Sequence, residues 1–312
     1  MRVMVDAPPF PLQVVGELLA PTGAQVDAQP RPWRGDDVVG LLVWDAVSAS
    51  DMEQLPGLRV IATCSVGFDH IDVEAAARRG IWVCNVPDYC IEEMADSTVA
   101  LLLALLRGVV VLDRSVRAGD WDDHAAGPLS RVRGTRLGIL GFGRIGRAVA
   151  ARAGALGMEV WATDPLVDAG EMASAGAKPA SLDQLLQACS AITLHLPLTA
   201  QTQGMIGERE LAEMPEGALL INTARAGLVD QAALMSALES GRLGGAALDV
   251  LASEPPGGEH PAPRHPRLIV TPHSAWYSPQ SEQEVYRRAA LAVRAVLEGQ
   301  EPAGTVVRPS AG

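Results

Sequence analysis

The chain has 312 residues, 48% of them hydrophobic, with 37 acidic against 25 basic side chains and a net charge of −12. That is enough for one large or two ordinary domains with buried cores. The Lys and Arg residues form no block that would displace counterions from phosphates, so no direct nucleic-acid partner is expected. No run of about 20 residues is continuously apolar, which excludes an ordinary membrane-spanning helix.

At the N-terminus, Met1 to Pro11 carries Asp6 and several prolines where a signal peptide needs an apolar run, so a cytoplasmic chain is expected. Arg2–Asp6, Leu41–Trp44, Arg59–Thr63 and Ile81–Cys84 read as strands. Helical segments lie between them, such as Asp72–Arg79, with Asp72 as its cap and Gly80 as its end. Strands alternating with helices imply a parallel sheet. An Ala- and Leu-rich segment from Ile91 to Arg117 follows. It is too apolar to stand in water and is expected to pack on another element or another subunit.

After Gly134 the alternation restarts. Arg136–Leu140, Glu159–Thr163, Ala191–Leu196, Ala218–Asn222, Gly245–Asp249 and Leu268–Thr271 read as strands with helices between them. Ser181 and Gln184 form a capping-box pattern, and Asp230 caps the segment Gln231–Glu239. Strands in this βαβ order make a doubly wound nucleotide-binding domain. The Pro-rich stretch Pro255–Pro266 reads as a loop, and Ser278 to Leu297 as one amphipathic helix. Cys64, Cys84 and Cys189 sit in or beside apolar runs, and Cys90 precedes a helix start. Without a CxxC pair they support no structural zinc, and no metal is expected.

Gly141-Phe142-Gly143-Arg144-Ile145-Gly146 fits G-x-G-x-x-G. The motif is weak alone, but here it follows a strand, opens a helix and precedes an acidic residue, Asp164, at the end of the next strand. Gly141 permits a tight turn, Gly143 lets the backbone approach a pyrophosphate, and Gly146 lets helix and strand pack closely. Asp164 can accept hydrogen bonds from ribose hydroxyls and would repel a 2′-phosphate. Pro165, Leu166 and Val167 supply no cation to offset that, so NAD is expected rather than NADP.

Three further stretches lie just beyond expected strands: Asn222 to Asp230, Asp249 to Pro255, and Thr271-Pro272-His273. Ligands of open α/β sheets bind at the carboxyl ends of strands, so Arg225, Glu254 and His273 are expected to converge. Reducing a 2-keto acid places negative charge on an oxygen, which calls for a proton donor, and imidazole suits that task. A neighbouring carboxylate orients the ring and favours its protonated form. A guanidinium grips the substrate carboxylate. Hence His273 is read as acid/base, Glu254 as its partner and Arg225 as the substrate anchor.

With the glycine fingerprint, the N-T-A-R-A-G-L-V-D block from Asn222, the A-L-D-V…E-P block ending at Pro255 and the P-H pair at His273, the chain resembles the D-isomer-specific 2-hydroxyacid dehydrogenase family over nearly its whole length. The resemblance implies NAD contacts near Arg144, Ile145, Asp164, Pro197, Thr202, Thr223, Ala224 and Asp249. It implies a discontinuous, flavodoxin-like substrate domain, 1–92 with 277–312, and a Rossmann NAD-binding domain, 93–276, inserted in it. It also implies a cleft between the two and a homodimer formed through the nucleotide domain. Within the family, Asn85-Val86-Pro87 and His273-Ser274-Ala275-Trp276-Tyr277 look most like the C-terminal-binding-protein branch, whose vertebrate members are NAD-binding corepressors. In that branch a Trp lines the substrate pocket, so Trp276 either does so here or packs as a hinge aromatic.

Two positions depart from the family pattern. Ala226 replaces a glycine, which is expected to restrict its loop. The substrate-carboxylate loop, commonly G-x-G-x-D, reads Ser65-Val66-Gly67-Phe68-Asp69; the amides of Val66 and Gly67 remain as carboxylate donors, but Thr63 stands where the corepressors carry an Arg. The expected function is NADH-dependent reduction of a 2-keto acid to a D-2-hydroxy acid. The alternative is an NAD-sensing scaffold with little turnover.

Overall fold

The computed structural model describes residues 1–6, 11–257 and 262–309. The expected loop Pro255–Pro266 and the N-terminal stretch Met1–Pro11 each fall partly outside those residues. The chain divides into two compact units, Met1–Tyr89 with Ser278–Gly312, and Cys90–Tyr277.

The first unit begins with β1 (Arg2–Val5), α1 (Leu12–Leu19), β2 (Gln25–Ala28), β3 (Val38–Val43), α2 (Ala49–Glu53), β4 (Val60–Thr63), α3 (Val73–Arg78) and β5 (Trp82–Cys84). β3 and β4 are buried at every position. Continuous apolar runs of this kind belong to parallel strands covered on both faces. Asp72 accepts a hydrogen bond from the Ala75 amide at 2.8 Å, and Gly80 leaves the helix at φ +69.

The second unit carries α4 (Ile91–Leu106), α5 (Val109–Ala118), β6 (Arg136–Leu140), α6 (Arg144–Ala155), β7 (Glu159–Thr163), α7 (Ala169–Ser174), β8 (Lys178–Pro179), α8 (Leu182–Ala188) and β9 (Ala191–Leu194). It continues through α9 (Glu208–Glu213), β10 (Ala218–Asn222), α10 (Gln231–Glu239), β11 (Leu243–Leu248) and β12 (Leu268–Val270). Its strands are all parallel, in the order β12-β11-β10-β9-β6-β7-β8. The order reverses between β6 and β9, the switch point at which doubly wound sheets take ligands. Apolar clusters cover both faces of this sheet. One includes Leu194, Leu220 and Leu234, and the other Leu102, Phe142 and Ile221. The capping box at Ser181 and Gln184 and the Asp230 cap are both present.

The chain then returns to the first unit as α11 (Pro279–Leu297) and β13 (Thr305–Val307). That sheet runs β13-β5-β4-β3-β1-β2. Its five parallel strands have the flavodoxin-like order, and β13 closes the β5 edge antiparallel.

Three strands are absent from the sequence reading: β2, β8 and β13. They have 2 to 4 residues and none is buried. An edge strand that buries so little carries no apolar run to find. The segment from Ile91 is also two helices rather than one. It breaks at Arg107–Gly108, where Gly108 takes φ +61, and a Cβ there would lie 2.5 Å from that of Ala126. No helix among the described residues is by itself long and apolar enough to cross a membrane.

Candidate active site

β6 leads directly into the glycine turn. Gly141 sits at φ +91, and a Cβ there would fall 2.4 Å from the His195 carbonyl oxygen, at the end of the neighbouring β9. At Gly146 a Cβ would meet the Gly141 carbonyl at 2.2 Å, so only glycine lets α6 start this close to its strand. Gly143 differs, because no atom lies within 4 Å of where its Cβ would be. It is the N-cap of α6 and carries no side-chain cap. The first amides of α6 therefore face open space, the arrangement that binds phosphate oxygens. Arg144 is exposed and Ile145 half-buried beside them.

Asp164 follows β7. Its carboxylate accepts the Phe142 amide at 2.7 Å through one oxygen and the Leu166 amide at 2.8 Å through the other. It is thereby tied to the glycine turn, with acceptor capacity left on each oxygen. Pro197 and Thr202 lie in the turn after β9, closed by the Thr202 hydroxyl donating to the Pro197 carbonyl at 2.7 Å. An open cradle at Gly143 and a fixed carboxylate one strand away fit a dinucleotide.

The next strand ends carry the reactive groups. After β10, Asn222 is fully buried and clamps its own loop. Its Nδ2 donates to the Arg225 carbonyl at 2.8 Å, and its Oδ1 accepts the Ala224 amide at 3.0 Å. Arg225 is half-buried, with Nη1 donating to the Ala224 carbonyl at 2.8 Å. Ala226 opens a 3-10 turn, Ala226–Leu228, at negative φ, so its methyl brings no backbone strain. Thr223 is 2% exposed, and its hydroxyl pairs with that of Thr98 on α4 at 3.0 Å.

His273 follows β12. Its Nδ1 lies 2.6 Å from Glu254 Oε2, and Glu254 Oε1 accepts the Leu251 amide at 2.7 Å. The carboxylate is thus held by its own loop and in turn holds the ring. His273 has φ +50, the one positive value at a non-glycine among the described residues. Such a conformation is uncommon for a side-chain-bearing residue and persists when the surroundings over-determine it. Those surroundings centre on Asp249, 1% exposed at the end of β11. Its main-chain carbonyl accepts the His273 amide at 2.9 Å. Its carboxylate accepts the Ser274 and Ala275 amides at 3.0 and 2.9 Å and the Thr271 hydroxyl. Asp249 is thus the buried clamp of the His273 turn. The Trp276 indole N–H adds a bond of 2.9 Å to the His273 carbonyl, and its ring meets Tyr277 edge-on.

Sequence reading passed over His195, Ser97 and Thr98. His195 stands at the switch point, its Nε2 3.0 Å from the Thr193 hydroxyl, and burial lowers its pKa to about 4. It is therefore neutral at ordinary pH and no match for an acid/base role. Burial also raises the thiols, that of Cys64 strongly and those of Cys84 and Cys189 to about 12, which leaves them unreactive.

The two residues assigned to the substrate carboxylate, Val66 and Gly67, stand in the first unit after β4. The Val66 carbonyl accepts from Asn85 Nδ2 at 2.6 Å and the Gly67 carbonyl from Ser65 Oγ at 2.5 Å. These bonds engage the peptide oxygens, that of Gly67 within the loop and that of Val66 with the segment after β5. Thr63, where the corepressors carry an Arg, is fully buried and bonded to Ser65 and His70.

Residues 99–275 match the model of the D-isomer specific 2-hydroxyacid dehydrogenase NAD binding domain. The chain is 40% identical over 259 residues to a glycerate dehydrogenase of Methylorubrum extorquens, spanning 81% of this chain and 80% of that one. It is 35% identical over 289 residues to a glyoxylate reductase of Thermofilum pendens, spanning 88% and 83%. Among solved structures, a D-lactate dehydrogenase from Aquifex aeolicus with NAD and lactic acid superposes with a TM-score of 0.88. It is 28% identical, with 99% of this chain and 100% of that one covered. The matched model, its match running through the glycine turn and the His273 turn alike, settles the lineage: the chain belongs to the D-isomer-specific 2-hydroxyacid dehydrogenase family and is an NAD-dependent oxidoreductase.

Proposed function

We propose that this chain reduces a short 2-keto acid to the D-2-hydroxy acid, with Arg225 as substrate anchor, His273 as acid/base and Glu254 as the group that orients it. The observation that carries the reading is the His273–Glu254 contact of 2.6 Å, with the second Glu254 oxygen already committed to the Leu251 amide. With Nδ1 held by the carboxylate, Nε2 is the ring nitrogen left to exchange a proton with the substrate oxygen. When bound, NADH supplies the hydride. In the second unit the keto acid's carboxylate is bound through Arg225; in the first, the amides of Val66 and Gly67 are the carboxylate donors. The chain's own residues deliver a proton from His273 Nε2 and keep the imidazole in one tautomer. We assign the unit Cys90–Tyr277 to the dinucleotide and the other unit to the substrate.

Asp164 favours NADH, since a 2′-phosphate beside its carboxylate meets like charge. Comparing kcat/KM for NADH and NADPH tests this. Hydroxypyruvate and glyoxylate are the first substrates to try, because the relatives are named for glycerate and glyoxylate. Trp276 is better read as a brace for the His273 turn than as a pocket wall, because its indole N–H is bonded to that turn. The likeness to the corepressor branch rests on Asn85–Pro87 and His273–Tyr277, and it keeps an NAD-sensing scaffold as the second reading. Four free, buried cysteines suit a reducing compartment such as the cytoplasm.

The deciding experiment is His273→Gln in a steady-state NADH oxidation assay with a keto-acid panel. Loss of a general acid costs about 10²–10⁴-fold in kcat, and the pH dependence of the rate should disappear with it. Turnover within twofold of the parent would defeat the assignment. Absence of turnover by the parent on every acid in the panel would favour the scaffold.

A further inference from the structure

The first turns of α4 touch both loops that carry the proposed reactive groups, through two adjacent side chains. Thr98 is fully buried; it donates to the Met94 carbonyl one turn back at 2.8 Å and pairs with the Thr223 hydroxyl at 3.0 Å, two residues before Arg225. Ser97 is half-buried and donates to the carbonyl of Ala275 at 3.1 Å, two residues after His273. Serine in a helix can bond back to the carbonyl one turn earlier. Ser97 commits its only donor to a partner 178 positions away instead.

The two bonds act further out on the loops than the sheet does. The ladder between β10 and β11 sets where the strands end, at Asn222 and Leu248. Arg225 and His273 lie beyond those ends, on loops that the ladder does not reach. Asp249 ties the His273 turn to β11, and Asn222, whose carbonyl accepts the Asp249 amide at 2.9 Å, ties the base of the Arg225 loop to the same strand end. The side-chain bonds of Ser97 and Thr98 refer both loops to one helix. That element is itself seated on α6, the helix opened by the glycine turn: Ala95, Val99 and Leu102 of α4 share a buried apolar cluster with Val149, Ala150 and Ala153 of α6.

We propose that Ser97 is a positioning residue for the reaction: its hydrogen bond to Ala275 holds the His273 turn at the distance from Arg225 that proton delivery requires. The inference rests on the function proposed above for His273 and Arg225. Ser97 touches neither substrate nor cofactor in this scheme and acts through the turn alone. Reacting groups displaced by a fraction of an ångström lose rate steeply while ground-state binding changes little.

The test is Ser97→Ala beside Ser97→Thr and His273→Gln, assayed with NADH and the best keto acid of the panel. Expected for Ser97→Ala is a fall in kcat of roughly tenfold, with the KM of the keto acid and the Kd of NADH within twofold of the parent. Ser97→Thr keeps the donor and should recover most of the loss. A purely structural role would lower Tm without this split between kcat and KM, and Ser97→Ala with parental kcat beside an inactive His273→Gln overturns the proposal. If His273→Gln itself turns over at the parental rate, the underlying reading has failed and the inference falls with it, by a different signature.

Discussion

His273 and His195 are chemically identical side chains placed in opposite settings. His273 is exposed, strained at φ +50 and paired with Glu254. His195 is desolvated, and its pKa falls to about 4 against an ordinary imidazole value of about 6.5. The consequence for stability has a definite sign. Between those two values the unfolded chain binds a proton at His195 that the folded chain does not, so stability is lost as pH drops through that window. Above pH 6.5 the group contributes its full share. His195→Gln keeps a partner for the Thr193 hydroxyl and cannot titrate. Its Tm should therefore decline less steeply than the parent's from pH 6.5 to 4 in a thermal-melt series, and parallel declines would refute the account.

At the scale of elements, α4 docks by burial rather than by charge. Ala95, Thr98, Val99, Leu102 and Leu106 form its inner face, at helical spacing. Leu102 is fully buried, and truncating a leucine in such a position costs about 2–5 kcal/mol. The ion pairs of Arg152 involve Glu92 and Asp96 side chains that are 76% and 69% exposed. Pairs of that kind contribute at most about 1 kcal/mol. Urea denaturation should accordingly show Leu102→Ala strongly destabilised and Arg152→Ala shifted only slightly. The reverse ranking would mean that the ion-pair network, and not the apolar face, seats the helix.

At the scale of the whole molecule, each unit has its own sheet and its own apolar clusters. The net charge of −12 serves solubility. Against that polar background α5 is an anomaly. It has no buried residue, and Val109, Val116 and the nearby Trp121 are 54%, 50% and 93% exposed. Together with a groove between Leu105, Val111 and Ile269, this surface fits association with a second copy of the chain. Light scattering at micromolar concentration should return twice the chain mass. The double substitution Val116→Glu with Trp121→Glu should return the single mass without loss of secondary structure. A parent that runs as a monomer would dispose of the homodimer.

Residue order alone determined what depends on near neighbours. The glycine turn, the caps at Asp72, Ser181 and Asp230, and the long strands buried on both faces are legible because their signals span a few residues. Arg225, Glu254 and His273 were legible as candidates because each stands just past an apolar strand. Tertiary structure decided the rest. The break at Gly108 answers to Ala126, the edge strands exist only as partners of others, and Asp249 became a clamp because the turn after β12 folds over it. The bond from Ser97 to Ala275 joins groups 178 positions apart. A hydrogen bond between distant segments leaves no periodicity in the chain, because its two ends are brought together only by the packing of everything between them.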